Sequence, residues 1–265
     1  MSENSDKPRV ESGLPEPVVN PAPKKATSSQ PRANGNRKET PGGERTRTKL
    51  LDAAELMFAD HGYDGTSLRD IAEAAGQHLA LSTYYFGTKE KLFEEVVRRR
   101  AIEFISARLE ALARINPDEL TASENVRLLI EAYAMPVLKA AYGRSKQHQA
   151  YHRIMARIIN EKRWIPLFQR YYNETEEIFI KRLRQAMPHA DGASLLDALS
   201  FLTATLLTVC SYTNQHGNWP NTGIARQRVL EDLIRYTHAG FMAIEENGAR
   251  QAVQTTGVEA MPASE

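Results

Sequence analysis

An all-α fold is predicted for this chain of 265 residues, and three observations carry the expectation. Apolar side chains recur at three- and four-residue spacing from Leu50 to Ile244. The breaks between these runs read as helix stops: His61-Gly62, Ala75-Gly76, Asn116-Pro117, Gly143, Pro188-His189, the Gly217 to Pro220 stretch and Gly248. Between Arg45 and Arg98, three helical patterns and a tight turn are compressed into little more space than one long helix needs. About nine helices are expected: a small three-helix unit over 44–91, then a larger helical domain over 92–248. A disordered tail over 1–43 and a flexible one over 249–265 would flank them.

The first helix is predicted from Thr48 to Phe58, where Leu50, Leu51, Ala54, Leu56, Met57 and Phe58 share helical spacing and Gly62 supplies a left-handed stop. Thr66 or Ser67 caps the second. If Ser67 is the cap, Asp70 stands at the reciprocal position, and Leu68, Ile71, Ala72 and Ala75 make one apolar stripe. Ala75-Gly76 then reverses the chain, because Ala permits close approach and Gly tolerates positive φ. A third short segment runs from about His78 to Tyr84 and ends near Phe86-Gly87. Thr88 caps a fourth helix, which continues through Leu92, Phe93, Val96, Val97, Ile102, Phe104 and Ile105. Six helices are expected beyond the small unit, over 88–114, 122–143, 147–160, 163–187, 192–213 and 222–247, with Pro136 predicting a kink in the second of them.

A short helix, a tight turn and a second short helix suit a major groove about 12 Å wide, since one helix can cross the phosphates while the next offers its first turn to base edges. Double-stranded DNA is therefore the expected partner. Whole-chain charge does not suggest a polyanion, with 34 basic against 33 acidic residues, and residues 44–91 hold six basic and eight acidic groups. Positive charge concentrates just upstream. Lys24, Lys25, Arg32, Arg37, Lys38, Arg45, Arg47 and Lys49 face only Glu39 and Glu44, a basic arm suited to tracking a phosphate backbone or solubilising the chain.

The run AELMFADHGYDGTSLRDIAEAAG, followed by YYFGTKEKL, resembles the N-terminal domain of the TetR family of transcriptional regulators over about 50 residues. The remainder resembles that family's divergent ligand-binding and dimerisation domain in length and helical content. The resemblance implies that His78 to Tyr84 form a recognition helix, with His78, Leu79, Ala80, Leu81 and Thr83 at its base-facing positions and Lys89 on phosphate. Arg45, Arg47, Thr66, Tyr84 and Tyr85 complete the expected DNA-contacting set. The chain departs from the family pattern at Gln77 and Ser82, where apolar core residues are usual. Either the third helix is rotated, or Leu79 and Leu81 supply the missing contacts.

In the larger domain, Leu195 to Val209 is apolar around much of its circumference and must be covered on more than one side. A two-fold four-helix interface with a second copy, through Leu199, Leu202, Leu206, Leu230, Leu233 and Phe241, is the simplest cover, and a homodimer also matches a palindromic operator. A small hydrophobic effector is expected between helices, lined from Tyr133, Met135, Met155, Ile159, Trp164, Phe168, Tyr172, Phe201 and Thr205. The segments IMARII and FIKRLRQAMPHAD resemble a subgroup that responds to acyl or other hydrophobic molecules.

Other chemistry is thinly represented. His148 and His152 share a helical face without a third ligand and read as surface imidazoles, so no metal or other cofactor is expected. Neither HExxH nor a nucleophile elbow nor a phosphate-binding glycine loop is present, and a non-enzyme is expected, with a structural or adaptor all-helical protein as the alternative and an all-helical enzyme behind it. A single cysteine, Cys210, excludes an internal disulfide. With no secretory-type apolar core and no run of 18 apolar residues, a cytoplasmic protein without a membrane partner is expected.

Overall fold

Local chemistry sets the helix ends. The computed structural model describes residues 41–159, 161–212 and 223–258, and among these residues the fold is all-α. Helix α1 (Pro41–His61) stops where Gly62 adopts φ +75° and donates its N–H to Phe58 O at 3.0 Å. Ser67 caps α2 (Leu68–Ala74), and the capping box with Asp70 is complete in both directions. Gly76 then turns the chain at φ +63°, with Gly76 N–H on Glu73 O and Gln77 N–H on Ala72 O, a Schellman closure that launches α3 (Leu79–Phe86). Thr88 caps α4 (Lys89–Ala113) by accepting from Lys91 N–H.

The larger part comprises α5 (Ala122–Tyr142), α6 (Lys146–Ile158), α7 (Ile165–Ala186), α8 (Gly192–Tyr212) and α9 (Gly223–Val258). A second capping box, Thr121 with Glu124, opens α5, which runs through Pro136. Helix α6 lies between α1 and α8, so it has a neighbour on each side; α5 packs on α4, α7, α8 and α9. One apolar core runs from Leu50 and Phe58 through Phe93 and Phe104 to Tyr133, Phe179 and Phe241.

Two boundaries differ from the sequence expectation. Helix α1 begins seven residues before Thr48, so Pro41 to Gly43, assigned to the disordered tail, are helical. Proline at the first helical position forfeits no bonded N–H, and Glu44 in the first turn complements the helix dipole. Helix α9 continues through Gly248 to Val258, into the segment expected to be flexible. Gly248 is a point of close approach and not a stop, because a Cβ there would collide with the carbonyl of His189. The expectations for residues 1–40, for the Gly217 to Pro220 loop and for the chain after Val258 lie outside the described residues.

Within α8, Gly192–Ser211 has a mean hydropathy of 1.7, long and apolar enough for a membrane span by length and composition alone. In the fold its Leu195, Leu199, Leu202, Leu206 and Cys210 stripe is buried in the core. Burial pushes the Cys210 thiol up to about 12.

Candidate nucleic-acid interface and effector cavity

Helix α3 has a clear inside. Ser82 and Phe86 are buried, while Leu81 and Tyr85 are partly buried and pack on the core. The helix is therefore not rotated: Ser82 points inward as the family pattern requires, and Leu81, not Leu79, adds apolar contact. The Ser82 hydroxyl finds no hydrogen-bond partner among the described residues. Outward stand His78, Leu79, Ala80, Thr83 and Tyr84, with Tyr84 68% exposed. His78 is the N-cap residue, with extended backbone and no side-chain capping bond, so its ring is uncommitted. Thr83 donates only weakly to its own helix, to Leu79 O at 3.4 Å.

Three expected DNA contacts are committed inside the fold. Thr66 is buried and its Oγ1 donates to Gly62 O at 2.8 Å, which locks the turn before α2. Lys89 donates Nζ to Tyr63 O at 3.0 Å and lies over the Tyr63 ring, 4.3 Å from its centroid, tying α4 to that turn. Arg47 pairs with Glu95 and stacks over Phe86. Arg45 is exposed and forms no ion pair among the described residues.

The small unit is fastened to the larger domain through α1. Glu55 of α1, fully buried, is held by Arg99 and Arg100 of α4, Arg100 donating Nε at 2.8 Å and Nη2 at 3.0 Å. From α6, Arg153 reaches Asp60 at 2.8 Å and Arg157 reaches its carbonyl at 3.4 Å. Arg163 grips Asp64 through two bonds of 2.9 and 2.6 Å, which hold the carboxyl of Asp64 below its usual value. Trp164, expected in a ligand pocket, packs instead against Tyr63 and Phe93, with centroids 4.9 and 4.4 Å away. It belongs to this junction.

A small cavity of about 30 Å³ lies among α4, α5, α6, α7 and α8. Tyr133, Met155, Phe168 and Tyr172 of the expected ligand set line it. Sequence reasoning missed its polar members: Arg108, Tyr151, His152 and Thr203. His152 is 1% exposed, which corrects the surface reading; α6 is covered by α1 and α8, and desolvation, then His148 and Arg108, lower its pKa to about 3. His148 stays near the surface, 2.8 Å from Glu103. The hydroxyls of Tyr151 and Tyr172 are 2.6 Å apart, and burial pushes the Tyr172 phenol up to about 12. Phe168 and Thr203 also line an open cleft of about 830 Å³ between α7 and α8, with Ile159. The remaining members of the set lie elsewhere: Met135 faces α9, Thr205 is partly buried and Phe201 is 71% exposed.

The side chains expected at a dimer interface are mostly covered within the chain itself. Leu199, Leu202, Leu206, Leu233 and Phe241 are buried within one chain and Leu230 is partly buried, so these side chains serve the chain's own core. The bare side of α8 carries Phe201, Ala204 and Thr208, and that of α9 carries Tyr236, Ala239 and Ala243. Among the described residues, no group of three or more His, Cys, Asp or Glu is placed to hold a metal ion.

Comparison with known proteins bears on this architecture from two sides. Residues 50–96 match the family described as bacterial regulatory proteins, tetR family, and residues 131–240 match the tetracyclin repressor-like C-terminal domain. The HTH-type transcriptional repressor AcnR of Corynebacterium efficiens is 39% identical over 56 residues, 21% of this chain and 30% of that protein. The repressor KstR2 of Rhodococcus jostii is 40% identical over 60 residues, 23% and 29% of the two chains. The chain thus aligns with less than a third of these relatives' lengths. Two solved structures share the fold: the ketosteroid regulator KstR2 of Mycobacterium tuberculosis, with a TM-score of 0.56, 18% identity and coverage of 79% of this chain and 98% of that one; and a putative regulator from Pseudomonas aeruginosa PAO1, with 0.58, 16%, 81% and 96%. With the tetR-family N-terminal region matched at one end and the tetracyclin repressor-like C-terminal domain at the other, the chain belongs to the TetR family of bacterial regulatory proteins.

Proposed function

We propose that this protein is a transcriptional repressor that binds a palindromic operator as a homodimer and is released by a small hydrophobic effector. The observation that carries the reading is the division of α3. Its inner face is consumed by the core, while His78, Leu79, Ala80, Thr83 and Tyr84 stand outward with no tertiary partner among the described residues. That surface offers apolar groups for thymine methyls and a hydroxyl and an imidazole for base edges or phosphates. The relatives AcnR and KstR2 are named as repressors, which favours repression over activation.

Release is routed through α6. On one side this helix presents His152 and Met155 to the cavity; on the other, Arg153 and Arg157 hold Asp60 of α1. A ligand that shifts α6 changes the seat of the small unit, and with it the separation of two recognition helices that must fit grooves roughly 34 to 36 Å apart. The dimer is assigned to the bare faces of α8 and α9, centred on Phe201 and Tyr236, whose aromatic exposure is unusual for a finished surface.

Fluorescence anisotropy on the DNA flanking the protein's own gene tests the reading. Binding should exceed that to scrambled duplex of equal length by about a thousandfold or more at physiological salt. Equal affinity for both duplexes would overturn it.

A further inference from the structure

Resting on the effector-binding reading above, we propose that the effector is an organic monoanion, a carboxylate on an apolar body, whose head group is received by Arg108. The small cavity brings Arg108 together with His152 and the hydroxyls of Tyr133, Tyr151, Tyr172 and Thr203. Arg108 is 5% exposed, yet among the described residues it forms no ion pair. Its Nε donates to Tyr133 O at 2.8 Å, in the turn that precedes Pro136, and its guanidinium lies 3.7 Å from the Tyr133 ring centroid. A buried guanidinium with no carboxylate in direct contact is costly to retain, because water is lost and the nearby Glu176, which feels its charge, makes no ion pair with it. Beside it, His152 Nε2 is buried with no hydrogen-bond partner among the described residues. The Tyr151 and Tyr172 hydroxyls share a single bond of 2.6 Å, which leaves one of their two protons to seek a third acceptor. A carboxylate, with about four lone-pair sites on two oxygens, can accept from Arg108, from the spare tyrosine proton and from His152 in its Nε2–H tautomer.

Size and continuity fix the rest of the molecule. The cavity of about 30 Å³ admits a head group of a few atoms and no ring system. Phe168 and Thr203 form its boundary with the cleft between α7 and α8, whose Ile159, Ile180, Leu196 and Leu199 offer an apolar bed. Two acidic side chains line the cleft, Glu176 and Glu177, and two basic ones, Lys181 and Arg184, follow them along α7. Glu176 lies nearest the cavity, 3.5 Å from the Tyr133 hydroxyl, and burial raises its pKa, so it takes up a proton more readily than a surface glutamate when an anion enters. A cationic ligand would instead be seated against Arg108, and a neutral one would leave that charge uncompensated.

Calorimetry on the full chain, without DNA, distinguishes these cases using decanoate, methyl decanoate and decylamine as probes. Decanoate should bind about ten- to a hundredfold more tightly than the ester or the amine, the range expected for a charge-assisted hydrogen bond in a dry site. Arg108→Met should erase that preference. Because Arg108 is buried and its replacement also risks the fold, Glu176→Gln serves as the second variant: it removes an acidic neighbour at the cavity boundary and should tighten decanoate while leaving the ester unchanged. Failure of decanoate to bind, an ester or amine that binds as tightly, or weaker decanoate binding by Glu176→Gln would overturn the proposal. None of these results touches the operator-binding reading, which fails only if the anisotropy experiment shows no preference for the flanking DNA.

Discussion

Acidification from pH 7 to pH 5 should cost this protein about 2 kcal/mol of folding stability through His152 alone. The ring is 1% exposed, Nε2 has no hydrogen-bond partner among the described residues, and burial together with His148 and Arg108 lowers its pKa from 6.5 to about 3. In the unfolded chain the same imidazole takes a proton near pH 6.5; in the folded one it stays neutral until about pH 3. The stabilisation is therefore complete above pH 6.5 and is lost as pH falls through that window, since only the unfolded state gains protons. At pH 5 the separation from 6.5 is about 1.5 pH units, and each unit is worth about 1.4 kcal/mol. Carboxylates with lowered values, such as Glu95 and Asp64, start from 4.5 and 3.8 and lose their contributions below this range. Urea unfolding followed by helical circular dichroism at pH 7, 6 and 5, at one protein concentration, measures the effect. The His152→Gln variant should lose about 2 kcal/mol of the pH dependence seen in the natural chain. An identical pH slope in both proteins would refute the reasoning.

Three further outcomes follow from buried or bare side chains. Ser82→Ala should stabilise by about 1 to 2 kcal/mol, because it removes a buried hydroxyl without a partner and improves helix propensity; a rise in the urea midpoint with unchanged DNA affinity is expected, and a fall would contradict the inward placement of Ser82. Glu55→Gln should destabilise by about 3 kcal/mol, since Arg99 and Arg100 lose the buried carboxylate that joins α1 to α4; a loss within 0.5 kcal/mol of zero, about the scatter of surface changes, would show that the pair is not holding the junction. Phe201→Asp should convert dimers to monomers in light scattering, because the charge would be buried unpaired; persistent dimers would move the interface off α8.

What could be read from the sequence was chemistry confined to a few neighbouring residues. Ser67 with Asp70, Gly62, Gly76 and Thr88 each act on backbone groups within about one helical turn, so the turns around α3 were legible, the structure choosing Ser67 over Thr66 as the α2 cap. The faces of α8 and α9 were not. Apolar residues surround α8, and periodicity alone cannot say which side the chain covers itself; Leu199 and Leu206 turned inward while Phe201 was left bare. Thr66 and Lys89 looked available because their acceptors, Gly62 O and Tyr63 O, are backbone groups that only the folded turn brings within reach. Arg108 carried a signal that could have been used. It continues the buried series Val97, Ala101, Phe104 and Leu112 on α4, a lone charge on a stripe that otherwise faces the core.

The central claim, that the outer face of α3 reads DNA, is tested most directly by Ala80→Glu. Ala80 is exposed at the second position of the helix, so glutamate there is tolerated by the fold and places negative charge against the phosphates and base edges. Anisotropy on the flanking DNA should show affinity falling by about a hundredfold or more, with helical content and urea midpoint unchanged. A folded Ala80→Glu protein that binds that DNA as tightly as the natural chain would contradict the account.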